Sequence, residues 1–152
     1  MNPFYRKRHE LEEWIKLSLN SHSSLSFVPL KGATSATVYQ VCTSSGGRYV
    51  LRLFTNHNWL QEEPDLAEHE AAILNKAHQA RLPVPELVAY TSDTLAFGVP
   101  AVLMGYIDGA VNLKADNFNN WIKQLAVTLA NIHAIDANDV KWSYSSWNTV
   151  QE

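Results

Sequence analysis

Two strand-like segments joined by a short turn constrain the fold of this 152-residue chain more than any other feature. Residues 36–42 and 48–54 are rich in β-branched and aromatic side chains, and residues 43–47 between them are hydroxyl residues followed by two glycines. β-Branched and aromatic residues favour strands, and a short polar run with glycine favours a reversal of the chain. The pattern therefore predicts an antiparallel β-hairpin.

The composition is that of an ordinary globular domain. Hydrophobic residues make up 46% of the chain and charged residues 18%, so it can bury a core without metal or disulfide cross-links. The 12 basic and 15 acidic residues give a net charge of −3, which argues against a nucleic-acid partner bound through phosphate neutralisation. The single cysteine, Cys42, excludes an intramolecular disulfide and favours a reduced, cytoplasmic setting.

We also expect no membrane partner. The first ten residues carry charge but are followed by no unbroken apolar region, so they do not have the pattern of a signal peptide. The longest mostly apolar run, residues 97–107, is interrupted by Gly98, Pro100 and Gly105. It is too short to span a bilayer.

Helices and further strands surround the predicted hairpin. Apolar residues at helical spacing predict amphipathic helices over residues 8–19, after Asp65 and over residues 118–135. Further strands are predicted at residues 25–30, 87–90 and 99–104, with a turn at residues 91–93. The chain then leaves the sheet through a glycine-bracketed segment, residues 105–109, that is typical of a linker. These elements predict an α+β fold.

Arg52 is a charged residue inside the second strand of the hairpin. Strand alternation places Arg52 on one face with Val50 and Phe54, and three apolar residues on the other face: Tyr49, Leu51 and Leu53. Both faces are therefore expected to be covered, and a guanidinium in such a strand needs an anionic partner. The alternative is an edge strand whose arginine head reaches water.

The helix that follows Asp65 carries a carboxylate in its apolar stripe. Asp65 and Glu68 have the spacing of a capping box. With Leu66 set at 0° and about 100° per residue, Glu70 lies at roughly 40° and Ile73 at roughly −20°. Glu70 therefore faces whatever the helix packs on and is expected to be paired. The alternatives are a glutamate at the rim of the helix, or an internal ion pair that holds no ligand.

Residues 31–35 form a loop of small residues between two predicted strands. Backbone N–H groups in such a loop can bind a phosphate. Since the loop has one glycine, Gly32, a plain hairpin turn is the simpler interpretation.

The helix predicted over residues 118–135 has one face that is too apolar to be left in water. Its members are Phe118, Ile122, Leu125, Ala126, Leu129, Ile132 and His133. His133 is interpreted as a core histidine. Nothing in residues 135–152 obviously covers this face, and we therefore predict that it can mediate self-association of the chain.

The order of these elements and the residues within them resemble the aminoglycoside phosphotransferase family. The match covers residues 30–136, and its most specific stretch is the glutamate helix with its exit through Pro83 and Pro85. One usual glycine is missing from the loop, and Arg52 stands where lysine is commoner. The matching stretches are residues 31–39, 49–53, 70–85 and 102–109, with residues 129–136 similar to a helix of the second lobe.

The resemblance implies a kinase-like N-lobe with a mostly antiparallel five-stranded sheet and a packed helix. It divides the chain into an N-lobe (residues 1–104), a hinge (residues 105–109) and the first helices of an incomplete helical C-lobe (residues 110–152). It implies ATP- or GTP-dependent phosphoryl transfer to a hydroxyl of a small molecule, with an ion pair between Arg52 and Glu70 that holds the basic side chain at the nucleotide phosphates. The nucleotide-binding residues implied are Ala33, Thr34, Ser35, Arg52, Glu70, Met104, Tyr106 and Ile107.

The resemblance also defines what these residues lack. The family's catalytic loop has the form H-G-D-x-x-x-x-N, and its acidic and amide groups act on the hydroxyl and on magnesium. Residues 136–152 contain no such pattern. We therefore expect no catalytic or metal-binding residue here, and an N-terminal fragment that is inactive alone and binds nucleotide weakly or not at all. Magnesium and an acceptor are expected to be bound by a full-length protein. The alternatives are a non-catalytic nucleotide-binding or interaction module, and an unrelated small α+β domain.

Overall fold

The computed structural model describes residues 7–95, 97–110 and 114–142. These fall into two compact units, one within Met1–Lys114 and the other within Ala115–Glu152. The first unit contains helices α1 (Arg8–Ser18), α2 (His57–Glu62) and α3 (Leu66–Gln79) and strands β1 (Leu25–Leu30), β2 (Thr37–Thr43), β3 (Arg48–Leu53), β4 (Leu87–Thr91) and β5 (Ala101–Gly105). The second contains helix α4 (Phe118–His133).

The strands form one five-stranded antiparallel sheet in the order β1-β2-β3-β5-β4. The predicted hairpin is confirmed, because β2 pairs with β3 from Thr37 opposite Leu53 to Cys42 opposite Arg48. The predicted α+β class with an antiparallel sheet of five strands is confirmed as well. β3 is the middle strand, with β2 on one side and β5 on the other.

The geometry of the hairpin turn explains why glycine occupies positions 46 and 47. Gly46 has a φ of 93°, in the region that residues with a Cβ rarely adopt. The N–H of Gly47 donates to Thr43 Oγ1 at 2.8 Å. A Cβ on Gly47 would lie 2.9 Å from both Thr43 Oγ1 and the Tyr49 ring. A larger residue at either position would therefore disturb the turn.

One surface of the sheet, here called the closed face, is packed against α1. Its buried residues on the strands are Tyr39, Val41, Leu51, Leu53, Ala101 and Leu103. Leu11 and Ile15 of α1 belong to the same core, and the Trp14 ring lies 5.5 Å from that of Phe97. Burial of these apolar side chains is the main contribution of this face to the stability of the fold.

The opposite surface, here called the open face, carries Val38, Gln40, Val50, Arg52, Val102 and Met104 by strand alternation and register. α3 packs against β4 and β5, where Ala67 and Leu74 join Val102 and Met104 in a second core cluster. Val38, Gln40 and Val50 stay half-buried. α3 therefore covers the open face over β4 and β5, and the open face remains accessible over β2 and β3.

α3 differs from its prediction in two respects. The Asp65 side chain makes no capping hydrogen bond, so the predicted capping box is wrong. Ile73 is 38% exposed, whereas Ala67 and Ala71 are buried. The small alanines allow the helix to approach β4 and β5 closely, and the contact face is therefore rotated toward them and away from Ile73.

α4 is an amphipathic helix whose apolar side chains are exposed. The Asn117 side chain accepts a hydrogen bond from the Asn120 N–H at 3.0 Å and caps its N-terminus. The exposed members are Phe118, Ile122, Leu125, Leu129 and Ile132. His133 is exposed too, so its assignment as a core histidine is wrong: no other described helix or strand of its unit packs on that face. The prediction of self-association through this face stays a prediction.

Within the described ranges, no helix has both the length and the hydropathy needed to cross a membrane.

Candidate functional site

Arg52 lies at the centre of the sheet. It occupies the middle strand β3, where its backbone is opposite Val38 of β2 and Val102 of β5. Side chains of paired residues project from the same surface of a sheet, so Arg52 stands between two valines on the open face. The edge-strand alternative is therefore wrong.

The predicted partner of Arg52 is confirmed. Its Nη1 lies 2.9 Å from Oε2 of Glu70, and the two side chains are 33% and 22% exposed. Glu70 is therefore an inward-facing residue of α3, as its position in the helix predicts, and not a solvated rim glutamate. The pair joins the middle strand to the helix that packs on the same face.

Burial of Glu70 changes its protonation equilibrium. Removal of the carboxyl group from water raises its pKa above the ordinary value of 4.5, and the attraction and hydrogen bond from Arg52 offset this effect in part. The rise in the pKa means that the Glu70 carboxyl group is held in a poorly hydrated position. A carboxylate there depends on the Arg52 guanidinium to remain ionised.

The remaining contacts of Arg52 orient its guanidinium. Nη2 donates to the Ser35 hydroxyl at 3.4 Å, and Cζ lies 5.2 Å from the centre of the Phe54 ring. Nε is buried and has no hydrogen-bond acceptor among the described residues. A buried N–H of a cation without an acceptor is costly, so this edge of the guanidinium is suited to donate a hydrogen bond to an anionic oxygen.

The loop between β1 and β2 brings Ser35 to Arg52. Gly32 has a φ of 100° and permits the reversal. Ala33 and Thr34 are exposed, and Ser35 is half-buried. The loop does connect adjacent antiparallel strands, as a plain hairpin turn would, but its Ser35 hydroxyl also contacts the central arginine.

The register of the strands places three apolar residues near Arg52 on the open face, here called the apolar strip: Val38, Val50 and Met104. Val50 lies opposite Gln40 on one side and Met104 on the other, one row from Val38 and Arg52. Val38, Gln40 and Val50 were not among the predicted site residues. The alternation that placed Val50 beside Arg52 was a signal for these positions, but β5, the second partner strand of β3, could not be identified from the sequence.

The three residues predicted at the hinge have different positions. Met104 is 8% exposed and belongs to the core cluster on the open face. The Tyr106 ring lies under the guanidinium of Arg48, 4.8 Å from Cζ. Ile107 is 54% exposed. The structure thus brings Met104 to the strip and places Tyr106 and Ile107 on the segment that follows β5.

Across the described part of the chain, no three or more acidic, histidine or cysteine side chains are grouped as metal ligands.

A five-stranded antiparallel sheet whose middle strand carries a basic residue paired with a helix glutamate is the arrangement of a kinase-like N-lobe. Residues 26–149 match the family described as "Phosphotransferase enzyme family". The chain belongs to that family.

A solved structure shows the same fold. It is a crystal structure from Ralstonia eutropha JMP134, provisionally named an aminoglycoside phosphotransferase, with a TM-score of 0.68 and 19% sequence identity. The match covers 86% of this chain and 39% of the other. The chain thus spans about two fifths of the length of the structure it resembles. No curated protein matches it.

Proposed function

We propose that this chain is the nucleotide-binding lobe of a small-molecule phosphotransferase and that it binds ATP or GTP on the open face. The observation that carries the proposal is the ion pair between Arg52 and Glu70. A partly buried charged pair loses hydration, and this loss is costly unless hydrogen bonds satisfy the remaining polar atoms. Here the Arg52 Nε–H has no acceptor among the residues that the structure describes.

In this proposal the phosphates bind between Arg52 and the loop that precedes β2. Glu70 and Phe54 fix the plane of the guanidinium, and the Ser35 hydroxyl lies at its edge. The exposed backbone of Ala33 and Thr34 can supply further N–H donors. The bound nucleotide supplies the phosphoryl group, and these residues bind and orient it.

The base binds along the apolar strip. Val38 and Val50 are half-buried, and Val50 lies opposite Met104 of β5, so a planar ring placed there removes further apolar surface from water. The segment Met104 to Ile107 then lies at the edge of the base, as the hinge of the family does. Residues 1–104, 105–109 and 110–152 correspond to the N-lobe, the hinge and part of the C-lobe.

We further propose that these 152 residues bind nucleotide without transferring phosphate. Their sequence holds no H-G-D-x-x-x-x-N pattern, and this pattern supplies the catalytic aspartate and a magnesium ligand in such enzymes. Magnesium and the acceptor hydroxyl would be bound by residues outside this chain. The lone cysteine supports a cytoplasmic location for the protein.

Titration of ATP and of GTP into the purified chain tests the proposal. We expect saturable heat in calorimetry and a rise in melting temperature by mass action, both lost in Arg52→Ala. No phosphorylated product is expected with any hydroxyl acceptor. Absence of binding by the unsubstituted chain at millimolar nucleotide would contradict the nucleotide site, and turnover by pure protein would contradict the expected inactivity.

Arg8→Ala is a closely matched control for Arg52→Ala. Arg8 also has a carboxylate partner, with Nε 2.7 Å from Glu12 Oε1, and also lies 5.2 Å from an aromatic ring, that of Phe27. It belongs to α1, on the closed face. We expect Arg8→Ala to bind nucleotide as tightly as the unsubstituted chain.

A further inference from the structure

Arg48, the first residue of β3, contacts residues 106–108, the segment that follows β5. Its Nη1 donates to Asp108 Oδ1 at 2.8 Å, and its Nη2 donates to Asp108 Oδ2. The same guanidinium lies 4.8 Å from the centre of the Tyr106 ring. Its backbone carbonyl accepts a hydrogen bond from the Tyr106 N–H at 3.3 Å. One residue thus makes three different kinds of contact with a segment of three residues.

The geometry of these contacts is specific to arginine. A planar guanidinium can bind both carboxylate oxygens and stack on a ring at the same time, whereas an ammonium cannot. Isolated surface ion pairs contribute little to stability, and the Arg48 and Asp108 side chains are 47% and 68% exposed. The contacts are therefore better suited to set a conformation than to stabilise the fold.

The location of the contacts is informative. Arg48 lies opposite Cys42, two residues before Val50, so alternation places its side chain on the open face, one row beyond the apolar strip. Tyr106 follows Met104 by two residues. At the end of β5, the Gly105 N–H donates to the Glu86 carbonyl at 2.8 Å. The segment that leaves the strip is therefore held from both sides.

We propose that Arg48 is a positioning residue for the base of the nucleotide. It holds Tyr106 to Asp108 in one conformation against the end of the strip and does not itself touch the phosphates. The inference rests on the proposed nucleotide site and adds a role for Arg48 and Asp108. Apparent affinity falls in proportion to the fraction of molecules in the binding conformation. Loss of the Arg48 contacts is therefore expected to weaken nucleotide affinity about three- to tenfold.

Two probes separate this role from that of Arg52. Inorganic tripolyphosphate carries the phosphate charge without a base, and ATP carries both. We expect Arg48→Ala and Asp108→Ala to weaken ATP binding and to leave tripolyphosphate binding unchanged. We expect Arg52→Ala to weaken both. The double variant Arg48→Ala/Asp108→Ala is expected to bind ATP no more weakly than Arg48→Ala, because Asp108 acts only through its contact with Arg48.

Amide hydrogen exchange supplies a readout that does not depend on nucleotide. In the free chain, Arg48→Ala is expected to speed exchange at Tyr106 while exchange within β2 and β3 is unchanged, and Arg48→Lys is expected to restore slow exchange in part at most. Equal losses of ATP and tripolyphosphate binding in Arg48→Ala, or no change in either ATP binding or exchange, would overturn the proposal. Failure of the unsubstituted chain to bind ATP would refute the nucleotide site instead, together with the base-positioning role.

Discussion

The two faces of the sheet are built from alternate residues of the same strands, yet they differ in kind. Val50 and Leu51 are neighbours in sequence, and so are Val102 and Leu103. Leu51 and Leu103 are completely buried on the closed face, where Leu11 and Ile15 of α1 join the same core. The open face mixes valines with Arg52 and leaves Val50 half-buried.

The difference separates stability from binding. The closed face has what a core requires, since its central side chains are apolar and buried. The open face keeps a charge pair, a guanidinium N–H without an acceptor and an accessible apolar strip. Such features weaken a core and are common in ligand sites. The same strands therefore contribute a core on one surface and a candidate site on the other.

The largest expected effect comes from the closed face. Leu51→Ala removes a fully buried side chain, and we expect it to lower the free energy of unfolding by about 2–5 kcal/mol. Val50→Ala, its neighbour on the open face, is expected to cost about 1 kcal/mol because it is half-buried, and to weaken nucleotide binding about tenfold. Urea denaturation and calorimetry measure both. Equal losses of stability would remove the distinction between the faces.

Glu70→Ala leaves the Arg52 guanidinium without its partner. Complete removal of one member of a buried pair costs several kcal/mol, and that of an exposed pair under about 1 kcal/mol. Since this pair is partly exposed, we expect a loss of about 1–2 kcal/mol. Nucleotide affinity is expected to fall as well, because Arg52 loses its fixed orientation. A variant that binds nucleotide normally would show that the pair serves the fold alone.

Arg81→Gly tests a position that belongs to neither face. Arg81 follows α3 with a φ of 59°, and the Leu82 N–H donates to the Ala77 carbonyl at 3.0 Å, as in a helix end that favours glycine. We expect the substitution to stabilise the chain by about 0.5–1 kcal/mol in urea denaturation. Nucleotide affinity is expected to be unchanged, and a change in it would extend the site to the end of α3.

The smallest expected effect is a pH dependence. Burial raises the pKa of Glu70 above 4.5, so the folded chain holds this proton to higher pH than the unfolded chain does. The contribution of Glu70 is therefore fully present below its unfolded pKa and is lost as the pH rises through its folded pKa. Relative to Glu70→Gln, the unsubstituted chain is expected to gain stability as the pH falls from 7 toward about 4. A relative loss over that range would mean that the attraction of Arg52 outweighs burial.

The ion pair between Arg52 and Glu70 was predictable because the periodicity within one strand and one helix determines where each side chain points. Alternation in β3 and the helical repeat of α3 each turn one charge inward, and two inward charges of opposite sign favour each other. The rotation of α3 was not predictable in detail. Its contact face depends on β4 and β5, and the alanines that mark it have little weight in a pattern of large apolar residues.

The strand order and the Arg48 contact could not be predicted from periodicity. Nothing local indicates that β5 inserts between β3 and β4. The alternation of side chains within a strand is the same whichever strand lies next to it. Arg48 and Asp108 are 60 residues apart. Their pairing follows from β3 and β5 being neighbours, which only the assembled sheet shows.

Methyl NMR during nucleotide titration tests the central claim most directly. With valine, leucine and methionine methyl groups labelled, each of β2, β3 and β5 reports on both faces. We predict saturable shifts at Val38, Val50 and Met104 on addition of ATP, and unchanged signals at Val41, Leu51 and Leu103. Shifts confined to the closed face, or equal on both faces, would contradict the assignment of the open face as the nucleotide site.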